Sequence, residues 1–238
     1  MRVPPTIDSL RTANEIFTSL PAVKQRPKDD EWLQLWSATS VGSEKVIAGI
    51  NEWQEGMIAR AIAANLADAP LYISSSRPIR DFEAFAKARS GVTTYANRGL
   101  AGIDGNISTA AGIAHVHGAA TAIMGDLAFL HDMSGLLTAR NQNLRIFVID
   151  NNGGGIFSTL PQANVAGFEE IFGTPQNVNL MALAKSFTND VIEVSNFAEL
   201  EKEIEKPINS FSVVVIKTPE RSSSAQFLKS TIAKLASL

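Results

Sequence analysis

The 238-residue chain is 45% hydrophobic and 19% charged, with 16 Gly, 10 Pro and no Cys. That length and apolar fraction allow one large domain, or a domain of roughly 150–200 residues with a short flank, and exclude wholesale disorder. The absence of Cys removes disulfides, thiolate nucleophiles, iron–sulfur clusters and Cys-ligated zinc, and a net charge of −3 without a basic block argues against nucleic acid or an anionic membrane as partner.

The N-terminal stretch MRVPPTIDSLRTANEIF has no apolar segment of the signal-peptide kind. Nor does any apolar run reach the ~18 residues of a spanning helix. A soluble, cytoplasmic chain is expected. Residues 1–42 carry Pro pairs, mixed charges and scattered Trp without sustained periodicity, and read as a connector or the tail of a preceding domain. From Ser43 the pattern alternates. Ser43–Leu66 reads as a helix with a break near Asn51, followed by a short strand at Leu71–Ser74 and a helix at Arg80–Ala88. Strand Val92–Tyr95, helix Ile107–His117, strand Thr121–Met124 and helix Leu127–Asn141 come next, with Leu130, Met133 and Leu137 on one face of the last. RIFVID (Arg145–Asp150) is the clearest strand. Helix Leu180–Phe187, strand Asp190–Val194, helix Phe197–Glu205 and strand Phe211–Lys217 follow. Phe227–Leu238 closes as a helix with Phe227, Leu228, Ile232 and Leu235 inward.

Short apolar strands alternating with helices imply right-handed crossovers and a sheet covered on both faces. The expected fold is α/β: a doubly wound, mostly parallel sheet of about six strands. Ligands of such sheets bind beyond the carboxyl ends of the strands. Two of those loops belong together. Gly125-Asp126-Leu127 follows one strand, and Asn151-Asn152-Gly153-Gly154-Gly155 follows the next. A helix of about 15 residues rises ~22 Å, and a six-residue strand of ~20 Å returns the chain to the same end of the sheet. A carboxylate and a carboxamide thus arrive side by side. Both are hard oxygen donors suited to Mg²⁺, which completes its octahedron with phosphate and water. The Gly run permits close approach of backbone to a ligand, and the helix opening at Leu127 adds an N-terminus for phosphate oxygens. Each loop alone is equally a cap or a turn. Their pairing is what points to chemistry.

GDL…DNNGGG resembles the cofactor signature of thiamine-diphosphate enzymes, a Gly-Asp-Gly followed by Asn-Asn after a helix and a strand. Leu127 stands where the second Gly is usual, and Asp150-Asn151 where Asn-Asn is usual. The resemblance implies Mg²⁺ held by Asp126, Asn151 and the Gly153 carbonyl, with Asn152 as the alternative to Asn151. SSSRPIRDF (74–82), YANRGLAGIDG (95–105), GDLAFLHD (125–132), NNGGGIFSTLP (151–161) and FGTPQNVNL (172–180), in that order, resemble the C-terminal part of the MenD family. These are the 2-succinyl-5-enolpyruvyl-6-hydroxy-3-cyclohexene-1-carboxylate synthases of menaquinone biosynthesis. The Leu127 departure is itself usual there.

That resemblance implies a transferase that decarboxylates 2-oxoglutarate and adds the product to isochorismate, with thiamine diphosphate and Mg as cofactors. Arg80 and Arg98 would clamp substrate carboxylates, and Ser76 and Leu160 would contact substrate. Ile103 would be the apolar pillar under the cofactor, and Gly125, Leu127, Ile156 and Phe157 would complete its cradle. His115, His117 and His131 receive no role. The activating Glu of the family lies on a separate pyrimidine-binding domain, normally that of a partner subunit in a homo-oligomeric dimer. Residues 43–238 are expected to be the diphosphate/Mg-binding domain of an incomplete enzyme, truncated or split, inactive alone. The alternatives are a subunit of another thiamine-diphosphate decarboxylase or carboligase, and a non-catalytic fragment.

Overall fold

The computed structural model describes residues 30–66 and 69–238, so the expectations for residues 1–29 lie outside it. The chain divides into two units, Met1–Val41 and Gly42–Leu238. The described part of the first unit is helical and belongs to α1 (Asp30–Ala48), whose first turn carries Asp30 and Glu31. Within it the rings of Trp32 and Trp36 lie 5.8 Å apart. Helix therefore begins well before Ser43. The acidic pair at its start suits the positive end of the helix dipole, but its apolar residues do not make the single stripe that would betray it in sequence.

In the second unit the break expected near Asn51 separates α1 from α2 (Glu55–Asn65). Then come β1 (Leu71–Ile73), α3 (Arg77–Phe85), β2 (Thr94–Tyr95), α4 (Asn106–His117) and β3 (Ala120–Gly125). α5 (Asp126–His131), α6 (Leu136–Ala139) and β4 (Leu144–Asp150) follow. α7 (Leu180–Lys185), β5 (Val191–Val194), α8 (Phe197–Glu205), β6 (Ser212–Lys217) and α9 (Arg221–Leu235) complete the order. The six strands form one sheet in the order β2-β1-β3-β4-β6-β5, and every pairing is parallel. The doubly wound α/β expectation is borne out.

Alternation along the strands divides the core in two. Ala122, Met124, Ile146, Val148, Val213 and Val215 join α4, α7 and Phe129 on one face. Ile123, Phe147, Ile149, Val214 and Ile216 join α2, α3 and α8 on the other. Both faces are apolar, which is why the strands read as continuous runs; each fully buried Ile, Leu or Val contributes about 1.5–3 kcal/mol over exposure.

Several element limits differ from expectation for local reasons. α3 starts at Arg77, because Pro78 occupies the first turn, where its fixed φ favours the helix. The long helix expected over Leu127–Asn141 is broken. Asp132 turns away from the helix to accept from the Ser108 N–H (2.8 Å), and a 3₁₀ turn at Met133–Gly135 intervenes. Met133 and Leu137, expected on one helix face with Leu130, are consequently exposed. α9 begins at Arg221, and Ile232, expected inward, is exposed, whereas Phe227 packs with Ile47, Met57 and Phe85.

Strand order places the binding crevice. From β1 the chain moves outward to β2, whereas from β3 it moves the other way to β4. The loops after β1 and β3 diverge, leaving a gap between them at the carboxyl end of the sheet.

Two buried-versus-open helical glycines test the packing. A Cβ on Gly56 in α2 would strike the Phe85 ring, whereas one on Gly112 in α4 would meet nothing within 4 Å. Gly112→Ala should therefore stabilise by about 0.5–1 kcal/mol. Gly56→Ala should destabilise by about 1–2 kcal/mol, since overpacking outweighs the same helix gain. Urea unfolding of the two variants reads the opposite signs.

Candidate functional site

The β3–β4 register sets Gly125 beside Ile149, so the next residues, Asp126 and Asp150, leave adjacent strand ends together. In the gap between the β1 and β3 loops lies a hollow of about 280 Å³. The β1 side contributes Ser75, Ser76, Arg77 and Pro78, and the β3 side Gly125, Asp126, Leu127 and Ala128. Asn151, Gly153, Gly154, Gly155, Ile156 and Phe157 from the β4 loop and Ile103 from the β2 side close it.

Asp126 is the centre of this arrangement. It is buried, with Oδ1 accepting from the Leu127 N–H (2.8 Å) and Oδ2 from the Gly153 N–H (2.7 Å). Burial pushes its carboxyl up to about 7, the neighbouring Asp150 and Glu55 carboxylates act in the same direction, and the two N–H donors oppose them. Each carboxylate oxygen retains acceptor capacity beyond its single bond.

The glycine loop is held from both sides. Gly153 has φ +132°, and a Cβ there would overlap the Gly173 carbonyl and the Arg221 guanidinium. A Cβ on Gly154 would overlap the Phe172 carbonyl, and one on Gly155 the Asn151 carboxamide. Gly154 N–H donates to Gly173 O (2.7 Å), and Arg221 donates to the Asn152 carbonyl and to Glu169. Only glycines fit this passage.

Asn151 and Asn152 have separate surroundings. Asn152, at φ +58°, is exposed and bonded through Nδ2 to Asn177 Oδ1 (2.9 Å), and its Oδ1 accepts from the Asn177 N–H. Asn151 lines the hollow and donates through Nδ2 to Glu55 Oε1 (2.9 Å), which leaves its Oδ1 buried without a partner. A buried acceptor left unmade costs about 1–3 kcal/mol. A cation would satisfy it. The Gly153 carbonyl accepts from the Gly155 N–H (2.9 Å) and keeps a second lone pair.

Asp126, Asn151 and the Gly153 carbonyl thus fit Mg²⁺, which takes few protein oxygens and keeps sites for phosphate. Among the described residues no cluster of three or more His, Cys, Asp or Glu offers an all-side-chain metal cage. A site of this kind needs oxygen donors from its ligand.

Of the expected site residues, Ser76, Ile103, Gly125, Asp126, Leu127, Asn151, Gly153, Ile156 and Phe157 meet in this one hollow. Arg80, Arg98 and Leu160 do not. Arg80 is exposed and donates to the Ser76 carbonyl (2.6 Å), holding a residue whose φ of +75° is unusual for a non-glycine. Arg98 lines a separate surface hollow with Asn97, Leu100 and Asp104, and Leu160 is exposed and does not line the site hollow. His131 faces Asp104 (3.2 Å) and His117 the Tyr95 hydroxyl (2.9 Å), which are local contacts.

Glu55 and Arg77 escape sequence reasoning. Glu55, 3% exposed, reads in sequence as an ordinary first-turn acid, yet it bonds Asn151 and lies 3.4 Å from Arg77 Nε. Arg77 in turn is held by Asp81 through Nε (3.2 Å) and a terminal nitrogen (2.9 Å). Burial raises the Asp81 carboxyl to about 7 despite Arg77. No helix of the described residues is long and apolar enough to cross a membrane.

The family described as "Thiamine pyrophosphate enzyme, C-terminal TPP binding domain" matches residues 80–218, more than half of the chain. A 2-succinyl-5-enolpyruvyl-6-hydroxy-3-cyclohexene-1-carboxylate synthase of Thermobifida fusca is 37% identical over 190 residues, covering 74% of this chain and 34% of that protein. The synthase of the same name from Staphylococcus haemolyticus is 40% identical over 195 residues, covering 78% of this chain and 34% of that protein. The chain therefore spans about a third of the length of these relatives. Benzoylformate decarboxylase from Polynucleobacter necessarius shares the fold, with a TM-score of 0.54, 18% identity and coverage of 69% of this chain and 32% of that one. The chain belongs to the thiamine pyrophosphate enzymes, as their C-terminal TPP binding domain.

Proposed function

We propose that this chain is the diphosphate-binding part of a cytoplasmic synthase of the MenD type, which decarboxylates 2-oxoglutarate and adds the product to isochorismate in menaquinone biosynthesis. The observation that carries the reading is the buried, partnerless Asn151 Oδ1 in the same hollow as the buried Asp126 carboxylate. Asp126, Asn151 and the Gly153 carbonyl would hold Mg²⁺, which would supply the positive charge that binds the diphosphate oxygens. Thiamine diphosphate, when bound, supplies the carbon nucleophile that a protein side chain cannot.

The residues of this chain bind and orient. Ile103 supports the cofactor as an apolar pillar, with Leu127, Ile156 and Phe157 as the walls that keep water from the reacting carbon. Gly125 lets the diphosphate approach the backbone. Ser76, held in its left-handed conformation by Arg80, presents its hydroxyl to substrate. Arg80 and Arg98 take the carboxylates of the two substrates, and Leu160 contacts substrate. The domain expected at residues 43–238 works with a pyrimidine-binding domain that supplies the activating Glu, in a homo-oligomer.

A second reading keeps the cofactor and changes the substrate. Arg80 and Arg98 lie outside the hollow, and Arg80 is engaged with the Ser76 carbonyl. That favours a decarboxylase or carboligase of a small monocarboxylate, which needs fewer cationic clamps.

Calorimetric titration of the chain with thiamine diphosphate should give binding that requires Mg²⁺. Asp126→Ala should abolish it, Asn151→Ala should weaken it and Asn152→Ala should leave it unchanged. No heat at any concentration fits a non-catalytic fragment, or a site that needs the pyrimidine-binding domain in order to bind. With a pyrimidine-binding domain supplied, Arg80→Ala and Arg98→Ala should each lower kcat/KM for the dicarboxylate substrates by about 30-fold, as expected for ~2 kcal/mol lost at a charge-assisted contact. Unchanged steady-state kinetics select the monocarboxylate reading.

A further inference from the structure

We infer that Glu55 is a positioning residue: its carboxylate fixes which end of the Asn151 carboxamide is offered to the metal. The inference rests on the proposed Mg²⁺ site and deepens it. A carboxamide has two ends of nearly equal shape, of which only the oxygen can bind a cation. A carboxylate has no proton to give, so it selects the amino end. Glu55 Oε1 accepts from Asn151 Nδ2 at 2.9 Å, and the oxygen is thereby left as the buried, unpartnered atom.

Glu55 does not hold this place by itself. It stands in the first turn of α2, where the helix dipole favours a negative charge. Its second oxygen lies 3.4 Å from Arg77 Nε, and Asp81 fixes Arg77 with two bonds from the next turn of α3. Gly155 backs the carboxamide on its other side, since a Cβ there would overlap Nδ2. A line of buried charge therefore runs Asp81–Arg77–Glu55 to the amide of Asn151. It passes from helices on one face of the sheet to a loop at its carboxyl end. Such outer partners orient metal ligands, and losing one commonly weakens metal affinity by about 10–100-fold.

The test is a double-mutant cycle read by calorimetry of Mg²⁺-supported thiamine diphosphate binding to the chain, with no turnover required. Glu55→Gln should weaken binding by about 10-fold or more, because a Gln can either accept from the Asn151 amino group or donate to the Asn151 oxygen and so selects neither orientation. In the Asn151→Asp background the same substitution should strengthen binding. A carboxylate at 151 has no orientation to lose, Glu55 would repel it, and a Gln can donate to it. A purely structural Glu55 would cause equal losses in both backgrounds, and that result, or no change in either, overturns the assignment alone. Wild-type chain that binds no Mg²⁺–thiamine diphosphate overturns the proposed function and this inference with it. Should Glu55→Gln fail to unfold cooperatively in a thermal melt, nuclear magnetic resonance of the wild type decides. The Asn151 side-chain amide protons, assigned by their loss in Asn151→Asp, should exchange slowly with solvent before any metal is added, and fast exchange overturns the assignment.

Discussion

The Asp126 carboxylate, taken out of water between two backbone N–H groups, is the contact on which the carboxyl end of the sheet depends. One oxygen starts α5 by accepting from Leu127, and the other draws in the Gly153 N–H. That second bond ties the glycine loop to the β3 side of the hollow. The cost of burying the carboxylate is visible in its raised pKa, with Asp150 and Glu55 adding to it. A protein tolerates such a group when something else repays the loss of hydration. Here the donors repay part, and the proposed cation would repay the rest.

The topology makes this affordable. β3 and β4 lie at the middle of the sheet, each bonded on both sides, so Asp126 and Asn151 are carried by its most constrained strands. The divergence of the β1 and β3 loops then leaves room beside them at the carboxyl end of the sheet. The apolar layers on both faces keep the strand ends in register, and the register brings Asp126 and Asp150 out together. Position of the site and stability of the sheet have the same cause.

The parts that could be read in sequence are those where one physical rule acts alone. RIFVID and FSVVVIK are strands because both faces are buried, and Phe197–Glu205 is a helix because its apolar spacing and its Asn196 cap agree. Gly-Asp and Asn-Asn-Gly-Gly-Gly were legible because their residue types suit few other purposes at successive strand ends. Where two rules compete, sequence misleads. The apolar period predicts one helix from Leu127, but Asp132 is worth more bonded to Ser108 than left on a helix surface, and the helix breaks. Arg80 and Arg98 share the motifs of the site, yet spacing along a loop does not say where a long side chain ends. Glu55 shows the opposite failure. An acid in a first turn is explained well enough by the helix dipole that nothing in the sequence asks for a second purpose, and only its 2.9 Å bond to Asn151 reveals one.

The charges around the hollow connect these observations. Asp81, Glu55, Asp126 and Asp150 are all buried, and the cations facing them are Arg77, Lys217, which lies 2.5 Å from Asp150, and the exposed Arg80, which acts on Asp81. An excess of buried negative charge destabilises a fold unless it is neutralised by protons or cations. The raised carboxyl of Asp126 is the proton answer. A divalent ion at Asp126 and Asn151 is the other answer, and it would bind to the folded form in preference to the unfolded one, stabilising it by mass action. On the proposed function, then, the surplus carboxylates are what draw the ion to a site with so few protein ligands. The Asp81–Arg77–Glu55 line decides how that charge reaches the metal: as an oriented amide oxygen and not as a further carboxylate. A fifth carboxylate at position 151 would bind the ion more tightly only by adding to a repulsion the empty fold already bears. A neutral ligand turned by a charged neighbour keeps the directionality without that cost.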